Sequence, residues 1–291
     1  MWLPTMDLAG QFWVVLLPIA VFGMSHGGAD PILIRALSAT KRSSSALWLG
    51  GYLILMALTV AFIVWQPTLA LVGFLCLSAW HFASTDRLFL PAQTPSLAGW
   101  LSGSLPIVGP MVGHPEQVAA LFAWLLQQQA SALVPLVKIA GYGLLLAWGA
   151  LLAGVLVKTA RDSRAALLME LGIVGGLLLA LPPLLGFAFY FCAVHSMRHF
   201  LALLAAQRCQ QPAFNAAALA RRAAPATLGA IVLGLLAWWG LQRGGTYAAL
   251  QADWLADGVR VVFWGLAVLT VPHALLVGLW MVSPKASRAI P

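Results

Sequence analysis

Long apolar runs separated by short polar islands fill the chain. Windows of about 19 residues mark runs near 8–28, 46–66, 67–88, 97–113, 132–157, 165–182, 183–206, 224–241 and 258–282. A helix rising about 1.5 Å per residue needs roughly 20 residues to cross a hydrocarbon core. The runs therefore predict an all-α, polytopic transmembrane helical bundle of about nine spans. The islands between them hold stop signals: Lys41-Arg42-Ser43-Ser44-Ser45, Pro91 to Pro95, Arg161-Asp162-Ser163-Arg164, Pro182-Pro183 and Gln210-Gln211-Pro212. Run 97–113 contains Gly103, Pro106, Gly109, Pro110 and Gly113. It reads as a bent or partial span, and the count is eight if it does not cross. Segment 116–130, with Glu116, Gln127, Gln128 and Gln129, predicts an amphipathic helix lying on the membrane surface. No fixed-period repeat and no long polar linker divides the chain, so 1–291 reads as a single integral-membrane domain.

Composition agrees. Of 291 residues, 62% are hydrophobic and 8% charged, against about 25% charged in a typical globular protein. An ordinary soluble domain is excluded. The net charge of +8 would suggest nucleic acid in a soluble chain, but here the basic residues cluster at the ends of apolar runs, which is a topology signal and not a nucleic-acid surface. With the N-terminus outside, 12 of the 16 Lys and Arg fall on the inner side, including Lys41, Arg42, Arg161 and Arg164. Nine spans then put the C-terminus, with Lys285 and Arg288, inside. The first ten residues carry only Asp7, so the first run is expected to stay as an anchor and not to be cleaved as a signal peptide. Three cysteines, two of them within apolar runs, make neither a disulfide framework nor a thiolate metal site.

The histidines carry the chemical information. His26, His81, His195, His199 and His273 all fall in apolar runs, where ionisable groups are costly and mark a pathway, a cofactor or a metal. They stand 12 to 18 residues from the proposed outer ends of their spans. At about 1.5 Å per residue that is one layer, roughly 18 to 27 Å deep. Four helices thus deliver imidazoles to one level. His195 and His199 are spaced i, i+4, which puts both on one helix face and lets them chelate one ion. The bland alternative is a pair of core histidines donating to carbonyls one turn away. With His26 and His81 a four-imidazole site can form, and all-imidazole ligation suits Fe, Zn, Cu or Ni alike.

Neighbouring residues carry readings of their own. After His26 comes Gly27-Gly28-Ala29-Asp30-Pro31, where the helix should kink or restart. Asp30 either caps the next helix, with Pro31 at its first position, or accepts a ligand imidazole N–H. Asp86 either supports an imidazole or pairs with adjacent Arg87. Arg198 faces away from the two helical histidines and snorkels or pairs with a carboxylate. His273, after Pro272, is a fifth ligand, a supporting donor or a core residue. His114, between Gly113 and Pro115, reads as a solvated loop residue, and Glu170 as an interfacial carboxylate without a special role. Trp80, Phe82, Phe189, Tyr190, Phe191 and Phe200 are ordinary packing or line a slot for a long apolar substrate.

At these positions the chain resembles the Brp/Blh family of bacterial and archaeal β-carotene 15,15′-dioxygenases. The residues that carry the resemblance are His26-Gly27-x-x-Asp30, Trp80-His81-Phe82 with Asp86, Tyr190-Phe191-x-x-x-His195-Ser196-x-Arg198-His199, and Pro272-His273. One departure is Pro31, where many members have histidine. The resemblance implies a polytopic membrane enzyme of the bacterial cytoplasmic (inner) membrane that cleaves the central bond of β-carotene with O2 to give retinal. It implies His26, His81, His195 and His199 as catalytic ligands of one non-haem Fe(II). Asp30, Asp86, His273 and Tyr190 would support them, Trp80, Phe82, Phe189, Phe191 and Phe200 would line the substrate slot, and an opsin is a downstream partner by analogy. Other classes compete. Membrane di-iron hydroxylases need about eight or more clustered histidines, and the chain has six. A bis-histidine haem protein would show a Soret band, and a transporter using His and Asp as a relay would move ions in vesicles without consuming oxygen.

Overall fold

The computed structural model describes residues 6–243 and 254–282. Within them α1 (Leu8–Pro18) passes through a π-helical segment, Ile19–Gly23, into α2 (Met24–Gly27). The helix stops at Gly28-Ala29 and restarts as α3 (Asp30–Lys41), with Pro31 in its first turn. Then come α4 (Ser45–Trp65), α5 (Pro67–Asp86) with a 3-10 turn at Arg87–Phe89, α6 (Ala98–Gly113), α7 (Pro115–Leu126), α8 (Ala130–Lys158) and α9 (Arg161–Ala180). α10 (Pro183–Ala188) leads through a second π-helical segment, Phe189–His195, into α11 (Ser196–Gln210), followed by α12 (Ala216–Arg243) and α13 (Trp254–Met281). No strand occurs among the described residues.

Local chemistry sets these ends. Ser44 accepts the Ala46 N–H at 3.1 Å to open α4. Pro67, Pro115 and Pro183 open helices at a first position that has no N–H to satisfy. Arg42 and Gln127 close α3 and α7 with φ of 51° and 55°.

Among the described residues eight helical stretches are long and apolar enough to cross a membrane, and the protein is an all-α integral membrane protein. α4 buries no residue and exposes Leu53, Ile54, Leu58 and Val64. In water that face would aggregate, whereas in hydrocarbon it needs no cover. Lys285 and Arg288, which the topology argument used, lie outside the described residues. All three cysteines are free thiols.

The chain folds as two compact units, each built from two separated segments: 1–19 with 78–198, and 20–77 with 199–291. In the first unit α6 packs against α5, α8 and α9. Gly99 and Gly103 lie so close to the Ala83 backbone that a Cβ at either would overlap it, and the Trp148 indole N–H donates to the Leu101 carbonyl at 2.9 Å. Gly109 and Gly113 touch Leu178 and Leu179 near the end of α9, while the loop before α6 meets the start of α9 through Ser163 and the Ala92 carbonyl, 2.5 Å apart. The 16 residues of α6 thus pack along the second half of α9, and the loop before α6 reaches its start. The glycines of α6 serve close packing. α7 is shorter than the 116–130 surface helix expected, and it buries one face in the protein. Val118, Ala119 and Ala123 join Met111, Leu133 and Val137 in a core, leaving Glu116 exposed and paired with Lys138 at 2.7 Å. The hydrogen bond from Lys138 holds the Glu116 carboxyl below its usual range.

The second unit packs α3, α4, α11, α12 and α13 around Leu33, Leu37, Leu203, Leu219, Val277 and Trp280. A Cβ at Gly28 would sit 2.7 Å from the Ala223 carbonyl of α12, so the glycine after α2 permits close helix packing there.

We expect Gly103→Ala to cost about 1–3 kcal/mol by overpacking, because the atoms in its way are backbone. Gly154, with nothing within 4 Å of its Cβ position, should tolerate the same change. Thermal melts in detergent check the pair, with a fall of several degrees for Gly103→Ala alone.

Candidate metal centre

In the first unit α5 presents His81, Phe82 and Asp86 on its last two turns, and the second π-helical segment presents Tyr190 and His195. His195 and Asp86 are fully buried and His81 is 2% exposed. A buried carboxylate must be surrounded by donors, and Asp86 is. It takes the Tyr190 hydroxyl at 2.5 Å, the Ser102 hydroxyl at 3.2 Å and the His195 Nδ1–H at 3.3 Å, and pairs with the Arg198 guanidinium at 3.2 Å. Arg198 in turn pairs with Glu170 at 2.7 Å.

The π geometry explains how one segment supplies two of these donors. In an α-helix, residues five apart point about 140° away from each other, whereas an i→i+5 repeat brings them near one face. Tyr190 and His195 both reach Asp86 from a segment with that repeat.

The proton His195 donates from Nδ1 leaves its lone pair on Nε2, the tautomer a metal ligand needs. That Nε2 stands 3.1 Å from the Nε2 of His81. Two nitrogens each about 2.1 Å from one ion are about 3.0 to 3.4 Å apart for bond angles between octahedral and tetrahedral. The pair thus fits two ligands of one cation. Phe82 closes the other side, its ring centroid 4.4 Å from that of His195.

The second unit gathers three imidazoles. His26, on α2 directly after the first π-helical segment, donates from Nδ1 to the Gly23 carbonyl. Its ring centroid is 4.8 Å from that of His273 and 5.6 Å from that of His199, and His199 and His273 are 5.2 Å apart. All three are buried. His26 and His273 offer ring nitrogens within 4.8 Å of one another. Asp30 does not cap α3 with its side chain. Its carboxylate takes the His273 Nδ1–H at 2.6 Å and the Tyr52 hydroxyl at 2.8 Å. Tyr52 also lines an apolar groove of about 480 Å³ with Leu47, Trp48, Leu55, Pro272 and Leu276.

The aromatic candidates separate. Phe82 lies against His195, Phe191 stacks on Phe187 at 5.3 Å, and Phe200 packs on the apolar core of the second unit. Trp80 and Phe189 are half-buried. His114 sits at the α6–α7 junction, 3.3 Å from the Ala180 carbonyl. Asp86 pairs with Arg198 and not with adjacent Arg87, and Glu170, read as having no special role, completes that charge network. Sequence reasoning passed over Tyr52 and Ser102. A signal existed for the first: the chain has only four tyrosines, and Tyr52 is a lone phenol on an apolar span.

Fold and site together define a class, an integral-membrane helical protein whose buried imidazoles, with tautomers set by carboxylates and a carbonyl, have the donor chemistry of a metal centre. The family model for Beta-carotene 15,15'-dioxygenase matches residues 17–281, and the chain belongs to that family. It is 29% identical to "Beta-carotene 15,15'-dioxygenase" of an uncultured marine bacterium, 66A03, over 95% of this chain and 96% of the relative. It is 28% identical to "Probable beta-carotene 15,15'-dioxygenase Blh" of Halobacterium salinarum, over 90% of this chain and 81% of the relative. No solved structure matches it.

Removing the Asp86 carboxylate charge frees His195 to adopt the wrong tautomer. We expect Asp86→Asn to weaken metal retention about 10- to 100-fold, measured by metal analysis after graded chelator dialysis. Glu170→Gln, which alters only the outer partner of Arg198, should change retention less than threefold.

Proposed function

We propose that the protein cleaves the central 15,15′ double bond of β-carotene with O2, giving two molecules of retinal, at a non-haem Fe(II) held by His26, His81, His195 and His199. The observation that supports this most directly is the Asp86-oriented His195 facing His81, nitrogen to nitrogen, at metal-ligand spacing in an apolar interior. The common depth of the four histidines along their spans and the family membership agree with it. Iron bound by neutral imidazoles would supply O2 binding and activation next to an electron-rich polyene.

The remaining work falls to the chain. Breaking one C=C bond and making two aldehyde C=O bonds uses both atoms of O2 and consumes no proton. No general acid or base is then required, which suits carboxylates already committed to imidazoles and phenols. Asp86, Tyr190 and Ser102 would orient His195, and Phe82 would hold its ring and exclude water. A conjugated chain has no polar handle in its middle, so the position of cleavage must come from the length and shape of an apolar slot. Trp80, Phe189, Phe191 and Phe200 are the other aromatic candidates for its walls, and the groove beside Tyr52 is apolar in the way such a substrate demands. β-Carotene partitions into hydrocarbon, so access would be lateral from the lipid of the cytoplasmic (inner) membrane. Retinal would leave into the same phase, where an opsin could take it up.

The test is expression in a bacterial host that accumulates β-carotene, with chromatography of the extract. We expect the wild type to form retinal, His195→Ala and His199→Ala each to abolish both retinal and bound iron, and His114→Ala to change neither. Persistent β-carotene beside well-expressed wild-type protein would overturn the substrate assignment, and full iron content with turnover in both ligand variants would overturn the site.

A further inference from the structure

His273 stands in the second half of the long helix α13, 3% exposed, directly after Pro272. Three observations bear on its role. First, its Nδ1–H donates to Asp30 at 2.6 Å, and a neutral ring with its proton on Nδ1 carries its lone pair on Nε2. Second, the other oxygen of Asp30 is fixed by the Tyr52 hydroxyl at 2.8 Å, so the carboxylate cannot rotate away without losing a buried hydrogen bond. Third, the ring lies edge-on to its neighbours, with centroids 4.8 Å from His26 and 5.2 Å from His199.

We propose that His273 is itself a ligand of the metal, alongside His26 and His199, and that Asp30 and Tyr52 are its positioning residues. This rests on the iron-dependent reading given above. His195 is served by a carboxylate at Nδ1, and that carboxylate by a tyrosine hydroxyl. His273 is served in the same way by different residues from another part of the chain. A carboxylate on the far nitrogen of an imidazole is the usual support for a metal-bound ring, because it fixes the tautomer and raises the basicity of the ligating nitrogen. A histidine that only filled the core would need neither a carboxylate nor a phenol behind it. Two of the chain's four tyrosines are used in these two devices.

The experiment is Co(II) titration of the detergent-purified protein in competition with a chelator, reading affinity, stoichiometry and the visible ligand-field spectrum. We expect one Co(II) per chain in the wild type. His273→Gln should weaken binding more than 100-fold and move the absorption bands. Tyr52→Phe, which keeps the ring and removes the hydroxyl, should cost about 10-fold, the lower end for a supporting group, with the bands unmoved. His273→Gly should recover Co(II) affinity on addition of free imidazole, which separates loss of a ligand from loss of the fold. Wild-type affinity and spectrum in His273→Gln would overturn the assignment, as would a loss that imidazole does not restore or a wild type that binds no Co(II). If these metal results hold but β-carotene persists in the expression host, the proposed reaction falls while the ligand assignment stands.

Discussion

Everything about this molecule follows from placing carboxylates and imidazoles where water cannot reach them. An ionised carboxylate in a hydrocarbon environment is tolerated only if donors replace its hydration shell. Asp86 recruits four side chains to do this, from α6, from the second π-helical segment and from α11. That requirement propagates outward. Ser102 reaches Asp86 only because Gly99 and Gly103, on either side of it, let α6 touch the backbone of α5. Tyr190 and His195 reach it together only because the helix carrying them widens to a π repeat. Close packing, helix irregularity and the polar network are one solution to one electrostatic problem.

Asp30 solves the same problem more cheaply. Its contacts are one imidazole and one phenol, and the glycine two residues before it again marks a close helix approach, here to α12. The two aspartates differ in their cations. Asp86 shares a guanidinium with Glu170, whereas the nitrogen facing Asp30 belongs to an imidazole. Asp86 therefore has a permanent positive charge beside it, whereas Asp30 is held by the Tyr52 hydroxyl and the His273 N–H alone among these donors.

Much of this was legible in the chain, and the rest was hidden for physical reasons. The spans and the five buried histidines could be read because hydrocarbon thickness and the cost of burying ionisable groups act on every residue independently. The partners of Asp30 and Asp86 could not, since they depend on which helix faces meet. Tyr52 lies on α4, a helix with no buried residue, where periodicity offers no inward face to read. A 3.6-residue period would set Tyr190 and His195 on different faces, and only the π segment brings them together. Segment 97–113 looked weak as a span because glycine and proline are poor helix formers in water. In the folded protein the same glycines are what α5 and α9 pack against.

The commitment of both carboxylates bears on what kind of chemistry the protein can host. A hydrolase or an isomerase would need a carboxylate or imidazole with a proton to exchange at the substrate. Here the oxygens of Asp86 and Asp30 are taken by phenols and by the Nδ1–H groups of His195 and His273, and the Nδ1–H of His26 is taken by the Gly23 carbonyl. What such an arrangement presents is a set of imidazoles fixed in orientation, in surroundings built of aromatic and aliphatic side chains. That suits a reaction in which the protein supplies ligands and shape and exchanges no protons with the substrate. Oxidative cleavage of a hydrocarbon double bond meets those terms, because its oxygen atoms come from O2 and its substrate has no group that a buried acid or base could address.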